Sequence, residues 1–339
     1  MLLIYLLLLL LINNSISFII PNIFKEWFCI DFVNNIDKTK PYKYNIGDLS
    51  LVTWFKNNTP LTTINICSHY GSTLDKGKIN NNGCLICPYH GLEHNETLTF
   101  GKTIIFENKL WWSYYNSNNP PKIPFFNNNK YQTSEIKIDM NANIIDCIFN
   151  TMDVNHPKYV HNNIFGFGSN SPVTNLNTIN FPNKKKIGIS FNYNTNSNLL
   201  YLKKEIKNSN NFHIYEYPFN SWSRVSLPNN ENLFVNVNFL PLKKNKTRWL
   251  ITLKYNYWNN NIEKNIMEIA AICILNQDKT QLNRQAEYSI LKNSIIYQHK
   301  FENEEHLDEL HKIINSNIYP DMVQVLELYE YHKFKKKKN

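Results

Sequence analysis

The sequence predicts an α+β protein in two parts: a small all-β unit over residues 24–120 and a helix-flanked antiparallel sheet over residues 131–320. Three observations carry this expectation. From Trp27 to Tyr115, short segments rich in β-branched and aromatic residues follow one another, with turns between them and no long helical repeat. A proline- and asparagine-rich stretch at 116–129 then reads as a linker. Beyond it, strand candidates are flanked by two segments of helical spacing, 144–162 and 261–290.

Taken in order, residues 1–12 are almost wholly apolar, and Asn13 and Asn14 end the run. As a helix the run would rise about 18 Å, short of the roughly 30 Å hydrocarbon core of a bilayer. Residues 1–20 therefore read as a hydrophobic targeting segment for the secretory pathway, or as a short anchor that leaves membrane association open. Ser17-Phe18 before Pro21 is also compatible with a plastid presequence. Trp27–Ile30 and Leu49–Phe55 read as strands, with Gly47-Asp48 as a turn; 98–107 and 110–115 complete the first unit. In the second, strands are expected at 187–192, 198–202, 211–217, 232–239 and 247–257. Ile262, Ile266, Ile269, Ile272 and Cys273 recur at helical steps within 261–290, and 303–315 forms a further amphipathic helix. Residues 321–339 are a basic tail.

Lysine and arginine exceed aspartate and glutamate by nine, which suits an acidic protein partner. The excess sits in short lysine patches. No arginine-rich recognition helix or aromatic stacking platform accompanies it, so no nucleic-acid partner is expected. Asparagine is abundant throughout, which weakens it as a turn marker. The six cysteines do not resemble a small secreted disulfide framework.

The first chemical signal is Cys67-Ser68-His69-Tyr70-Gly71, a gap, and Cys87-Pro88-Tyr89-His90-Gly91. Two thiolates and two imidazoles in this order can hold a two-iron, two-sulfur cluster, with sulfur on one iron and nitrogen on the other. Glycine after each histidine lets the chain turn closely around such a group. A zinc site is the alternative, but structural zinc pairs usually enclose two to four residues, and only Ser68 separates Cys67 from His69.

The second signal is Asn150-x2-Asp153-x2-His156-Pro157-x3-His161. On an ideal helix Asn150, Asp153 and His156 share a face, and His161 lies about 140° away from His156. Pro157 permits a bend or restart that brings both imidazoles to one metal. With a carboxylate, two histidines form the facial triad of non-haem Fe(II). Glu263, Glu268, Asp278 and Glu287 are all candidates on charge.

These two motifs, in this order, resemble those of the Rieske non-haem iron oxygenases. The likeness is nearest to the group that includes pheophorbide a oxygenase, chlorophyllide a oxygenase and the inner-envelope Rieske protein. It extends over most of residues 26–290 and takes in Trp27, Lys40-Pro41, Pro241 and Lys246-Thr247-Arg248. The resemblance implies a Rieske iron–sulfur domain over 24–120 and a mononuclear-iron catalytic domain over 131–320. Its cofactors would be a [2Fe-2S] cluster on Cys67, His69, Cys87 and His90, and a mononuclear Fe(II) on His156, His161 and Asp278. Asp278 is singled out because Ile274-Leu-Asn-Gln-Asp278 resembles the acid-bearing helix of that group, with Gln285 seven residues on. Respiratory Rieske loops carry an extra cysteine each; here Ser72 and Tyr89 stand there, so the likeness is to the type without a loop disulfide. By resemblance Asp153 bridges to a cluster histidine of the next subunit in a homotrimer, and Asn150 sits near the iron. Leu92 departs from the tryptophan many members have. The implied activity is oxidation of a hydrophobic ring substrate with dioxygen, as a monooxygenase, on a tetrapyrrole or a sterol. With no flavin or nicotinamide fingerprint, electrons would come from an external ferredoxin or flavin reductase. An electron carrier without oxygenase activity is the alternative.

Overall fold

The structure, a computed structural model, describes residues 22–115, 118–123, 127–161, 173–182, 185–196, 205–226, 230–257, 260–287 and 305–317. The N-terminal apolar segment, the basic tail and the strand expected at 198–202 lie outside the described residues. Among the described residues no helix is long and apolar enough to cross a membrane.

The first nine strands are β1 (Phe28–Phe32), β2 (Tyr42–Ile46), β3 (Leu49–Lys56), β4 (Thr59–Ile64), β5 (Lys78–Ile79), β6 (Leu85–Ile86), β7 (Glu93–His94), β8 (Lys102–Phe106) and β9 (Lys109–Ser113). They form three antiparallel sheets ordered β1-β9-β8, β2-β3-β4 and β5-β6-β7. Asparagine does mark turns here: Asn57 and Asn58 link β3 to β4, and Asn108 ends the β8–β9 turn, all with positive φ. Its short side chain tolerates that region better than most.

The second part is built on one seven-stranded sheet. β10 (Gln132–Met140) leads into helices α1 (Ile144–Met152) and α2 (Pro157–Val160). A meander follows: β11 (Val173–Asn180), β12 (Lys186–Asn196), β13 (Glu205–Glu216), β14 (Asn220–Ser226), β15 (Asn232–Lys243) and β16 (Lys246–Tyr255). β10 pairs with β16, giving the order β10-β16-β15-β14-β13-β12-β11, antiparallel between all described neighbours. The sequence reading missed β10, β11 and β14, where polar residues interrupt the apolar alternation. Helices α3 (Asn261–Glu287) and α4 (Glu305–Asn317) close the fold. α3 packs on β10, α4 on β12, and α1 across β13, β15 and β16.

The two sheet faces do different work. One meets the helices: Ser221 Oγ lies 3.4 Å from Thr151 Oγ1 of α1. The other meets the first domain and is unusually polar. Lys109 of β9 is fully buried, and its ammonium donates to Asn236 Oδ1 (2.8 Å) and Asn238 Oδ1 (2.5 Å). Both of those amides donate in turn to Asn220 Oδ1, at 2.7 and 2.9 Å. Asp31 of β1, fully buried, accepts from Lys137 Nζ of β10 at 2.8 Å and from the Tyr42 hydroxyl. Gly47 N–H donates to Pro241 carbonyl at 2.7 Å. Buried polar groups must be paired, so these contacts fix one register between the two parts.

Burial pushes the Lys109 amine down to about 8, against the pull of Cys29, Glu135 and Glu107. A lysine depressed on folding binds its proton more weakly in the folded than in the unfolded chain, so it adds stability as pH rises from about 8 to 10.5. Lys109→Met leaves two buried amide oxygens without this donor and is expected to cost about 1–3 kcal/mol. Denaturant titrations should show wild-type stability gaining on the variant across that pH window. A gap that narrows would contradict this role.

Candidate metal centres

Two matching loops build the first site. The chain enters each at a cysteine and leaves it past a left-handed glycine. Cys67 N–H donates to Ser72 carbonyl (2.7 Å) and Gly71 N–H to Cys67 carbonyl (2.9 Å). In the second loop Cys87 N–H donates to Leu92 carbonyl (2.9 Å) and Gly91 N–H to Cys87 carbonyl (3.1 Å). Gly71 and Gly91 have φ of +72° and +74°, with open space where a Cβ would sit. Backbone conformation, not crowding, selects glycine there.

Both cysteines are buried against Val52, Trp54, Leu74 and Leu85, and neither is in a disulfide. Both histidines are exposed, with ring centroids 5.0 Å apart. Burial pushes the Cys67 thiol up. It acts on Cys87 too, but the N–H groups of Tyr89 and His90, the Cys67 thiol and the Ser72 hydroxyl outweigh it and lower that thiol. Soft sulfur donors below, imidazoles at the tip and N–H groups turned toward sulfur fit a two-iron cluster with mixed ligands. Cys84 is a buried free thiol beside this site.

The second site forms where α1, α2 and α3 meet. Asn143 caps α1, its Oδ1 accepting from Asp146 N–H at 2.9 Å. The helix stops at Met152, and Asp153 turns to extended backbone. Its Oδ1 accepts from Asn155 and His156 N–H groups, at 2.8 and 3.3 Å. Within one chain Asp153 thus acts as a local cap. His156 resumes helical geometry and Pro157 opens α2. Residues 144–161 form a broken helix, as Pro157 suggested, and the break swings His161 round to join His156.

α3 supplies the third group. The isoleucines whose spacing predicted this helix are on its outer side: Ile262, Ile269 and Ile272 are exposed, as is Cys273. The covered stripe is Met267, Ala270, Leu275, Asp278 and Leu282. Asp278 is therefore an acid placed in an apolar stripe, only 5% exposed. Its Oδ1 lies 3.2 Å from His161 Nε2 and 3.5 Å from His156 Nε2, and accepts from Asn150 Nδ2 at 3.2 Å. The three donor atoms of His156, His161 and Asp278 all fall within 4.8 Å of one another.

The opposite nitrogen of each imidazole is anchored. His156 Nδ1 is 2.7 Å from the Asp153 carbonyl, and His161 Nδ1 is 2.8 Å from Gln277 Oε1. Carbonyl-type acceptors anchor each ring through Nδ1, so Nε2 is the nitrogen that both rings turn toward Asp278. Burial opposes charge on Asp278, yet the two histidines hold its carboxyl at about 2. Burial likewise opposes charge on His156, and Asp278 outweighs it and raises that imidazole. Two neutral imidazoles and one carboxylate suit a divalent metal of the first transition row. Gln277 was not singled out from the sequence; Gln285, which was, is exposed. The usable signal was its position beside an acid in a buried stripe.

Residues 26–104 match the family described as Rieske [2Fe-2S] domain. This part of the chain is a Rieske domain. It contains Cys67, His69, Cys87 and His90, the four residues that the sequence offered as cluster ligands. Pheophorbide a oxygenase, chloroplastic, from Arabidopsis thaliana is 21% identical over 176 residues, covering 42% of this chain and 33% of that protein. The match thus spans about a third of that relative's length. Dicamba monooxygenase bound to dicamba superposes with a TM-score of 0.74 at 14% identity, covering 90% of this chain and 99% of that one. A structure of dicamba monooxygenase with non-haem iron and dicamba gives 0.65 at 13%, with the same coverages. At such identities the likeness is one of fold: behind its Rieske domain the chain has the architecture of a Rieske oxygenase.

Gln277→Leu removes the acceptor that holds the His161 ring. It is expected to weaken Fe(II) binding at the second site by about 10–100-fold, measured by anaerobic equilibrium dialysis, with the Rieske absorption unchanged. Unaltered Fe(II) affinity would show that Gln277 does not orient the ligand.

Proposed function

We propose that this protein is a Rieske non-haem iron oxygenase, a monooxygenase acting on a hydrophobic ring compound. One observation carries the reading: Nε2 of both His156 and His161 converges on Asp278 Oδ1 in the same chain that holds a complete Rieske ligand set. A Rieske electron carrier has no need of a buried two-histidine, one-carboxylate site.

Cys67, His69, Cys87 and His90 would hold the [2Fe-2S] cluster, and His156, His161 and Asp278 the mononuclear Fe(II). When bound, the first supplies single electrons and the second activates dioxygen beside the substrate. The chain's residues perform the rest. Asn150 donates to Asp278 Oδ1 and restrains the carboxylate. The Asp153 carbonyl and Gln277 Oε1 anchor the two imidazoles through Nδ1. The exposed His69 and His90, with Tyr70 and Tyr89 around them, present the tip of the Rieske domain to another protein. An external ferredoxin or flavin reductase is the donor that this exposure and the net positive charge favour.

A homotrimer, with Asp153 beside a partner's cluster histidine, is the assembly the family resemblance implies. Asp153 remains partly accessible and is suited to that role. For the substrate, a chlorophyll-derived tetrapyrrole is supported by the likeness to pheophorbide a oxygenase over residues of both proteins.

Iron analysis separates oxygenase from carrier. Three irons per chain are expected in the wild type and two in Asp278→Ala. Oxygen uptake with a reduced ferredoxin and chlorophyll-derived pigments should vanish in the variant. Three irons and full turnover in Asp278→Ala would reject the assignment.

A further inference from the structure

The tip and the flank of the two loops that would hold the [2Fe-2S] cluster differ in chemistry. The tip is uncharged: from Ile64 to Thr73 and from Cys84 to Leu92 the chain has no lysine, arginine, aspartate or glutamate. Ile66, Tyr70, Tyr89 and Leu92 are exposed there, with His69 and His90. The flank is basic. An open concavity of about 380 Å³ lies beside the second loop, lined by Lys76, Gly77 and Lys78 from one segment and by Cys87, Pro88 and Gly91 from the other.

Gly77 fixes this arrangement. A Cβ on it would lie 2.2 Å from the Ile86 carbonyl oxygen, so glycine alone lets the lysine segment approach the residue before Cys87 this closely. Its N–H closes a turn onto the Leu74 carbonyl at 2.9 Å, and Lys78 then pairs with Ile86 between β5 and β6. Both lysines are exposed. The acids nearby are turned to other partners. Asp75, its side chain 9% exposed, accepts from Asn65 Nδ2 at 3.0 Å and lies 3.6 Å from Lys76 Nζ. Glu93 stands across β6 from Lys78 and accepts from Asn80 Nδ2 at 3.1 Å. Neither acid lines the concavity.

A donor protein must find the cluster, deliver an electron and leave. Charge steers such a brief encounter and salt weakens it, whereas an uncharged tip offers no steering. The geometry points to the Lys76–Lys78 concavity, and not the histidine tip, as the docking site for an acidic electron-donor protein, whose carboxylates meet the two ammonium groups while its redox centre faces Cys87. One electron passes from the reduced donor to the oxidised cluster; the donor is oxidised, the cluster reduced, and no atom is transferred. The inference rests on the cluster-bearing half of the proposed function and needs neither the second metal nor dioxygen.

The probe is a plant-type [2Fe-2S] ferredoxin, an acidic protein, used with the cluster-loaded full chain. Calorimetry gives its affinity, and anaerobic stopped-flow absorbance gives the second-order rate at which it reduces the cluster. In the double variant Lys76→Glu, Lys78→Glu both should fall about tenfold at low salt, and the rate should lose most of its dependence on ionic strength. Photoreduced lumiflavin, a small neutral reductant that needs no docking, should reduce variant and wild type equally fast, which reports an intact cluster. The same charge change at two exposed lysines of the second part, Lys130→Glu with Lys312→Glu, should leave ferredoxin binding as in the wild type. A carbodiimide should join ferredoxin carboxylates to Lys76 or Lys78 in the wild type. No loss in the first double variant, equal loss in both, or cross-links confined to other lysines would overturn the inference. Ferredoxin reduction that depends on these two lysines in a chain that consumes no dioxygen would reject the oxygenase reading and leave the docking site standing.

Discussion

A carboxylate under an apolar helix face is costly unless its charge is met, and Asp278 is met three times, by His156, His161 and Asn150. The arrangement of α1, α2 and α3 follows from that requirement. α1 must stop at Met152 so that Asp153 can offer its carbonyl to one imidazole. Pro157 must open a new helix so that His161 turns back toward the first. α3 must present Asp278 from its covered stripe, with Gln277 next to it, to reach both rings. Removing the carboxylate would leave a buried and a partly buried imidazole with no common partner.

The Rieske domain is held to the rest of the chain by the same principle at a different place. Its anchors are polar, Lys109 on Asn236 and Asn238 and Asp31 on Lys137, and each would be costly if left unpaired. Such contacts specify one register more strictly than an apolar seam does, which suits a protein whose two candidate metal sites lie in different parts of the chain. The abundant asparagine of this sequence is used for that purpose: Asn220, Asn236 and Asn238 form a single hydrogen-bonded set in the sheet interior.

Much of this was legible beforehand, and the gaps have physical causes. The Rieske loops were readable because cluster geometry dictates residue type at fixed spacing, down to the glycines at positive φ. His156 and His161 were readable for the same reason, and the proline between them explained how a five-residue spacing could converge. α3 was readable as a helix, but its isoleucines suggested the wrong covered face. Abundant isoleucine occupies exposed positions here, and the informative residues were Met267, Leu275 and Leu282 around the acid. Strands β11 and β14 carry alternating polar residues, and the sequence pattern fell short of announcing them. Gln277 acts through a single hydrogen-bonding atom, which no periodicity records.

The measurement that bears most directly on this account is anomalous diffraction at the iron edge from crystals of the full chain grown anaerobically with Fe(II). The account expects a single-iron peak bonded to Nε2 of His156, Nε2 of His161 and the Asp278 carboxylate, with Gln277 still on His161 Nδ1. Absence of iron there, coordination through Nδ1, or Asp278 turned away from the peak would contradict it.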